Sequence, residues 1–491
     1  MEVPATRSAM PTFHCDLRQT GSPLPHVWNH TVGSGHAALA LRADWQAQLR
    51  RCRDELGVRY VRFHGLLNDD LGTRIEHAGE PVYAFFNADQ ITDFLLEIGM
   101  RPFVELSMMP TALASGHKTV FHYRGNVTPP KDLAAWGEFV ERLARHWVER
   151  YGAAEVRRWF FEVWNEPNLP EFWTGTQADY FALYRATAEA LKRVDAGLRV
   201  GGPATAQNAW IEETVAFCER EGLPLDFVST HHYPTDAFGT PEDETWDQLA
   251  KSRRGVLREQ ALDAARRAAG RPLYYTEWNA SSNPFFDLHD RPYAAAFALK
   301  SWLDVAGVVE AYSFWTFSDL FEEVYFDARP FAGKFGLLTI HGVAKPTYRA
   351  AELLGRAGTE RLLTDGLHAT VDCTVTRAED GRIVVFLTNH ALPEHPIETE
   401  RVSLVLAGMA EPASLVVERI DEDHANARRR WEAMGAPEYL DAEQVEALHA
   451  ASALVPEPYL WSHTDEGVTV ELDLPAHAVA SLTFNGRGGG R

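Results

Sequence analysis

WFFEVWNEPNLPEFW, residues 159–173, decides how the rest of the chain is read. The stretch holds six aromatic residues, and four of them, in an apolar run, lead straight into Asn165, Glu166, Pro167 and Asn168. A short hydrophobic run without clean alternation is the mark of a strand covered on both faces. A carboxylate closing such a strand has no packing purpose, so Glu166 asks for a partner at the end of another strand. The fold then turns on whether other apolar runs end in the same way.

They do. Seven times a helical pattern ends on a glycine, at Gly57, Gly99, Gly152, Gly197, Gly222, Gly270 and Gly307, and an apolar run follows within a few residues. Glycine suits the left-handed position just past a helix end. Besides the opening stretch, the runs are YVRFHG (60–65), PFVELSM (102–108), LRVGGPA (198–204), FVSTHHYP (227–234), LYYTEWN (273–279) and AYSFWTFSD (311–319), and HVWNHTVG (26–33) makes eight. Between them lie helical patterns: Trp136, Val140, Leu143 and Trp147 recur at helical spacing, and Asn87 with Gln90 has the spacing of a capping box. Eight strand–helix units predict an α/β fold, a (β/α)8 TIM barrel, over 15–357. The competitor is an open doubly wound sheet, weakened by the lack of a G-x-G-x-x-G after an early strand.

Near residue 358 the texture changes to alternating runs such as LHATVDCTVTR (367–377) and RIVVFLTNH (382–390). These predict an accessory antiparallel β-sandwich over 358–491, with a polar, partly helical insertion at 424–450 and a disordered tail, NGRGGGR, at 485–491.

Composition narrows the function. Lys plus Arg is 47 against 69 Asp plus Glu, a net charge of -22, which repels phosphate backbones and acidic membranes. Nucleic acid and membrane are therefore not expected partners. The N-terminal MEVPATRSAMPTFHCDLRQ lacks the apolar run of a secretory signal, and no stretch of 18 apolar residues follows, so a cytoplasmic location is expected. Cys15, Cys52, Cys218 and Cys373 lie far apart and predict buried thiols rather than disulfides or a zinc site. The sequon matches at Asn29, Asn126 and Asn279 are read as accidental.

In such a barrel the chemistry sits at the C-terminal strand ends. There the sequence gathers Arg62, His64, Asn165, Glu166, His231, Tyr233, Glu277, Trp315, Glu322 and Glu323. Glu277 closes LYYTE as Glu166 closes its own strand, and two carboxyls across one pocket mouth meet the need of glycoside hydrolysis. Asn165 beside Glu166 can hold a sugar 2-OH, and Trp164, Phe172, Trp278 and Trp315 can wall a pocket. The bland alternatives are concrete. Both glutamates could serve an ion network with Arg62, His64 could satisfy a loop carbonyl, and Phe172 and Trp315 could be core. His231 and His232 suggest metal, but neighbours on a strand face opposite ways and no third ligand stands at a recognisable spacing. The glycines of GSG (33–35) read as turn residues, not a nucleophile elbow.

Taken together, VGSGHAALALRADW, YVRFHGLLNDD, PFVELSMMP, FFEVWNEPNLPEFW, STHHYP, TEWNASSNP, FWTFSDLFEE, FGLLTIHGVAKPTYRA and IDEDHANARRRWEAMGAPEYL resemble the β-xylosidases of glycoside hydrolase family 39, nearly end to end. N-E-P alone marks only the wider clan of retaining barrels; EVWNEPNL with TEWN and FSDLFEE is far more specific. The resemblance implies Glu166 as general acid and base and Glu277 as nucleophile. It implies sugar contacts from His64, Asn165, His231, Tyr233, Glu322 and Glu323. It also implies that the N-terminal strand, 1–14, joins the sandwich. No metal or cofactor is required; xylo-oligosaccharides are the expected substrate, and self-association stays open. After TEWN the family often carries an aromatic where this chain has Ser282 and Asn283, which changes the pocket rim. An α-L-iduronidase, another retaining glycosidase, or a barrel that binds sugar without turning it over remain as alternatives.

Overall fold

The computed structural model describes residues 10–235 and 243–486. Eight parallel strands close a barrel in sequence order: β1 Thr31–His36, β2 Tyr60–His64, β3 Arg101–Glu105, β4 Phe160–Glu162, β5 Arg199–Thr205, β6 Phe227–His231, β7 Leu273–Trp278 and β8 Ala311–Phe314. A helix follows each strand, from Ala43–Leu56 to Pro346–Leu354. This is the (β/α)8 barrel expected, and it excludes the open sheet.

Helix Leu133–Tyr151 shows why these segments pack as they do. Asp132 caps its start by accepting from the Ala134 and Ala135 amides, and Trp136, Val140, Leu143 and Trp147 are buried on one face. Gly57 and Gly222 end their helices in the left-handed conformation, where a Cβ would be strained. Gly197 departs from the pattern: the preceding helix ends at Asp195, whose carboxylate accepts from the Gly197 amide. The capping box expected at Asn87 is also absent, because that amide donates to Leu71 O instead, and Phe85 starts the helix without a side-chain cap.

Inside the barrel, period-two alternation stacks layers. At the strand starts Phe103, Phe160, Phe227, Tyr274 and Ala311 form an apolar plug, with Tyr60 against it. Two residues further along the same faces stand Glu105, Glu162, Ser229, Thr276 and Arg62, all buried. The plug closes the bottom and leaves the polar layer as the floor of the C-terminal mouth.

Gly33 and Gly35 are not in a turn; they lie within β1. A Cβ on Gly33 would stand 2.4 Å from the Trp315 indole and one on Gly35 3.0 Å from Phe321. The glycines are there to let aromatic rings lie against the strand.

Two further sheets form the sandwich. One runs Thr12–Asp16, Glu400–Ala407, Gly467–Leu474, Ser462–Thr464; the other includes Ser22–Pro23, Glu360–Leu362, Val371–Arg377, Ile383–Asn389, Val479–Asn485, Ser414–Ile420 and Glu457–Pro458. All pairings are antiparallel except Thr12–Asp16, which runs parallel to Glu400–Ala407. The segment 424–450 carries two short helices, Ala427–Ala433 and Ala442–Ala451. Most of the 485–491 tail, from residue 487, lies outside the described residues, as do residues 1–9 of the expected N-terminal strand. We propose a division between barrel and sandwich at residue 358; the strands before β1, Thr12–Asp16 and Ser22–Pro23, pair with the sandwich sheets. Cys15, Cys52 and Cys218 are buried, Cys373 is half-buried, and all four are free thiols.

Gly33→Ala should drive Trp315 from its seat. We expect a loss of about 1–3 kcal/mol in denaturant unfolding, the usual cost of overpacking, together with impaired activity. A variant of wild-type stability would refute the packing role.

Candidate active site

The opening stretch forms β4 and the turn after it. Glu162 ends the strand, Trp164 and Glu166 both have positive φ (72° and 43°), and the turn is pinned at two points. The Glu166 amide donates to Ala204 O at 2.8 Å, and the Asn168 amide pairs with the Ala206 backbone at 2.9 and 3.2 Å. Left-handed backbone at two non-glycine residues costs free energy that the surrounding structure must offset, and such sites cluster where function fixes geometry.

Glu277 reaches the same place by a different local device. Along β7, Tyr274 and Thr276 face the barrel interior, so Glu277 ought to face out. The register breaks on both sides of this point, between Thr230 and His231 on β6 and between Tyr275 and Trp278 toward β8. The break turns Glu277 inward and sends Trp278 to the helix layer, where it stacks on Tyr312 at 4.1 Å and meets Trp302.

Carboxylate oxygens of Glu166 and Glu277 and a ring nitrogen of His231 all lie within 4.8 Å of one another. Such a trio could hold a metal ion. Each member is already engaged with protein groups, however: Glu277 with Arg62 and Tyr233, His231 with Thr276, and Glu166 with His231.

Arg62 is the hub, fully buried. Its Nη1 donates to Glu277 Oε1 at 2.7 Å, Nε to Glu162 Oε2 at 2.6 Å, and Nη2 to Asn165 Oδ1 at 2.8 Å, with Glu105 Oε2 also 2.8 Å from Nη2. Burial opposes its charge, but the Glu105, Glu162 and Glu277 carboxylates outweigh burial and hold it firmly protonated. His64 follows the same logic: burial pulls it down, while Glu105, bonded to Nδ1 at 2.7 Å, and Glu277 and Glu323 raise it. Because Asn165 Oδ1 is taken by Arg62, the amide presents its NH2 as the donor for a ligand.

A cavity of about 240 Å³ opens over these groups. His64, Asn165, Glu166, Phe172, Tyr233, Glu277, Trp315 and Glu323, all singled out from sequence, line it, as do Phe121, Gln207, Ser282 and Phe335. His231 sits behind Glu166, bonded to it at 2.9 Å. His232 faces the other way, stacked on Tyr275 and bonded to Tyr312.

Three expectations need correction. Glu322 does not line the cavity; its Oε1 accepts from His36 Nδ1 at 2.7 Å, and that ring stacks on Tyr123. Trp164 and Trp278 are fully buried and contribute no pocket wall, since Trp164 donates to Phe172 O and packs on Trp173. Sequence reasoning also passed over Glu105, Glu162 and Thr276. A carboxylate two residues after Phe160, on the same strand face, was the signal that could have pointed to Glu162.

Glu323 is pushed up to about 8, chiefly by burial, with Glu277 and Glu105 adding to it and His64 opposing. At neutral pH it is thus a protonated carboxyl, a hydrogen-bond donor in the cavity wall. In the unfolded chain it ionises near its ordinary 4.5. Below that value both states hold the proton; as pH rises toward 8 only the unfolded chain releases it, so the stability from this group is lost. Glu323→Gln should therefore raise the unfolding temperature by about 2 °C or more at pH 7.5, and not at pH 4. An equal shift at both values would contradict the buried, protonated state.

Comparison with known proteins agrees with this geometry. Residues 13–464 match the glycosyl hydrolases family 39. The chain is 49% identical over 463 residues to a beta-xylosidase of Caldicellulosiruptor saccharolyticus, covering 93% of this chain and 95% of that one. It is 38% identical to a beta-xylosidase of Geobacillus stearothermophilus, covering 86% of each. A solved structure of a GH39 beta-xylosidase from Caulobacter crescentus superimposes with a TM-score of 0.82 at 34% identity, over 96% of this chain and 99% of that one. With two glutamates converging on one barrel mouth from its fourth and seventh strands and a family match spanning both, the chain belongs to glycosyl hydrolases family 39.

Proposed function

We propose that the protein is a retaining exo-acting β-D-xylosidase that releases xylose from the non-reducing ends of xylo-oligosaccharides. The observation that carries this reading is the approach of Glu166 and Glu277 oxygens to within 4.8 Å. Retaining enzymes hold their carboxyls ~5–5.5 Å apart, whereas inverting ones need ~6.5–9.5 Å to admit a water. The cavity, at about 240 Å³, suits one sugar residue rather than a long cleft-bound chain.

In the proposed mechanism Glu277, ionised and held by Arg62 and Tyr233, attacks the anomeric carbon while Glu166 protonates the departing oxygen. Esterification removes the charge of Glu277. Glu166, now anionic, takes a proton from water, which displaces the carboxylate and releases xylose with its configuration retained. Asn165 donates to the sugar 2-OH, a bond that tightens as positive charge grows at the neighbouring carbon. Phe121, Phe172, Trp315 and Phe335 exclude water and present ring faces to the sugar. An iduronide would bring a carboxylate at C5 and call for a cation. Among the described residues lining the cavity none is Lys or Arg, which favours the xyloside.

Among the described residues no helix is long and apolar enough to cross a membrane. The four free thiols support a reducing, cytoplasmic setting.

Glu277→Gly should abolish turnover of every substrate. Glu166→Ala should lose about 10²–10⁴-fold on xylobiose but far less on aryl xylosides whose phenolates depart unprotonated. Equal losses on the two substrates would contradict the acid assignment.

A further inference from the structure

A chain of hydrogen bonds runs away from the catalytic pair and ends on a group the mechanism does not use. Thr276 Oγ1 donates to Glu162 Oε1 at 2.8 Å; His231 Nε2 lies 3.0 Å from Thr276 Oγ1; His231 Nδ1 lies 2.9 Å from Glu166 Oε1. Glu162, Thr276 and His231 are all fully buried or nearly so, so water does not substitute for a missing partner.

The polarity of the chain can be read from one end. A hydroxyl has a single proton, and Thr276 gives its proton to Glu162, whose other oxygen is bonded by Arg62 Nε at 2.6 Å. Toward His231 the hydroxyl oxygen can then only accept, so Nε2 carries a proton. The ring is neutral: burial lowers it, and the Arg62, His64 and His232 groups around it act in the same direction. A neutral ring protonated at Nε2 has a bare Nδ1. That nitrogen faces Glu166 Oε1 at 2.9 Å and, more distantly, Glu277 Oε2 at 3.7 Å. Glu277 is supplied with donors by Arg62 and the Tyr233 hydroxyl, the latter at 3.1 Å. A bare nitrogen and an unprotonated oxygen 2.9 Å apart would repel each other.

Resting on the assignment of Glu166 as acid and base, we propose that Thr276, anchored on Glu162, is a positioning residue that locks His231 as the Nε2–H tautomer. The bare Nδ1 then accepts the O–H of Glu166 and keeps that carboxyl protonated until it reacts. The same lock serves the second half of the reaction. Once Glu166 has given its proton to the leaving oxygen, its carboxylate faces an unprotonated nitrogen, and this contact is relieved when it takes a proton from water. The proton count is unchanged over the cycle: one leaves Glu166 with the aglycone and one returns from water. Protonation of Glu162 would reverse every bond in the chain. Burial and the nearby Glu105 raise Glu162 and Arg62 opposes them.

In the full-length chain, Thr276→Val removes the acceptor for Nε2–H. The ring is then free to carry its proton on Nδ1 and donate it to an ionised Glu166. The basic limb of the kcat/KM pH profile, measured with an aryl xyloside of poor leaving ability, should move down by about one pH unit, with the acidic limb unmoved. Thr276→Ser should restore the wild-type profile. A merely structural disturbance of Glu277 next door would depress turnover at all pH values without this asymmetry. A second measurement does not depend on the Thr276 variants: imidazole nitrogen NMR of the wild-type protein, with the His231 signals identified by their loss in His231→Gln, should find the proton on Nε2. An Nδ1–H ring in the wild type, or an unmoved basic limb in active Thr276→Val, overturns the proposal. Failure of the acid assignment itself would appear elsewhere, as equal losses of Glu166→Ala on xylobiose and activated aryl xylosides.

Discussion

Everything at the mouth of this barrel depends on how one buried guanidinium is satisfied. Arg62 comes from the second strand and is bonded by Glu105 from the third, Glu162 and Asn165 from the fourth strand and its turn, and Glu277 from the seventh. A buried charge is tolerated only when it is paired and its donors are used, and here four groups share the task. The consequence is geometric. Side chains separated by over 200 residues in sequence are held to one another by bonds of 2.6–2.8 Å, and Glu277 is oriented before any substrate arrives.

An ion network and a catalytic site were competing explanations for the glutamates, yet the two are compatible: in the proposed mechanism the network is the support of the site. Glu277 spends one oxygen on Arg62 and the other on Tyr233, the polar company an ionised nucleophile requires. Glu166 lies on the far side of that network and touches a neutral imidazole. The two carboxyls differ in what surrounds them, and in the proposed mechanism that difference divides the roles of acid and nucleophile between them. Further out, Lys345 pairs with Asp290 and Asp319 at 2.6 and 2.7 Å, and the same aspartates accept from the Gly333 and Gly336 amides. This fixes the segment that brings Glu323 and Phe335 over the cavity.

The barrel was legible because its signal is repetitive: apolar runs, helical spacing and glycine stops recur through the chain, and one mistaken stop, Gly197, does not disturb the pattern. Glu166 and Glu277 were legible for the opposite reason, as charges where burial forbids them without a purpose. What the sequence could not reveal lay in departures from regularity. A register break in the seventh strand turns Glu277 in and Trp278 out, so the aromatic beside Glu277 is core and not pocket wall. Adjacent Glu322 and Glu323 part company likewise, one to His36 and one to the cavity. Glu105, Glu162 and Thr276 went unnoticed because their purpose is to satisfy other buried groups, which becomes visible only when strands distant in sequence are side by side.

The central claim is that the two carboxyls act on one anomeric centre by double displacement. The most direct measurement is the configuration of the sugar at the instant of release, followed by proton NMR during hydrolysis of an aryl β-D-xyloside. The account predicts that β-xylose appears first and only later mutarotates to the equilibrium mixture. Initial release of α-xylose would mean that water attacks the sugar directly, and that Glu277, Arg62 and Glu166 do not act as a nucleophile, its anchor and a proton donor.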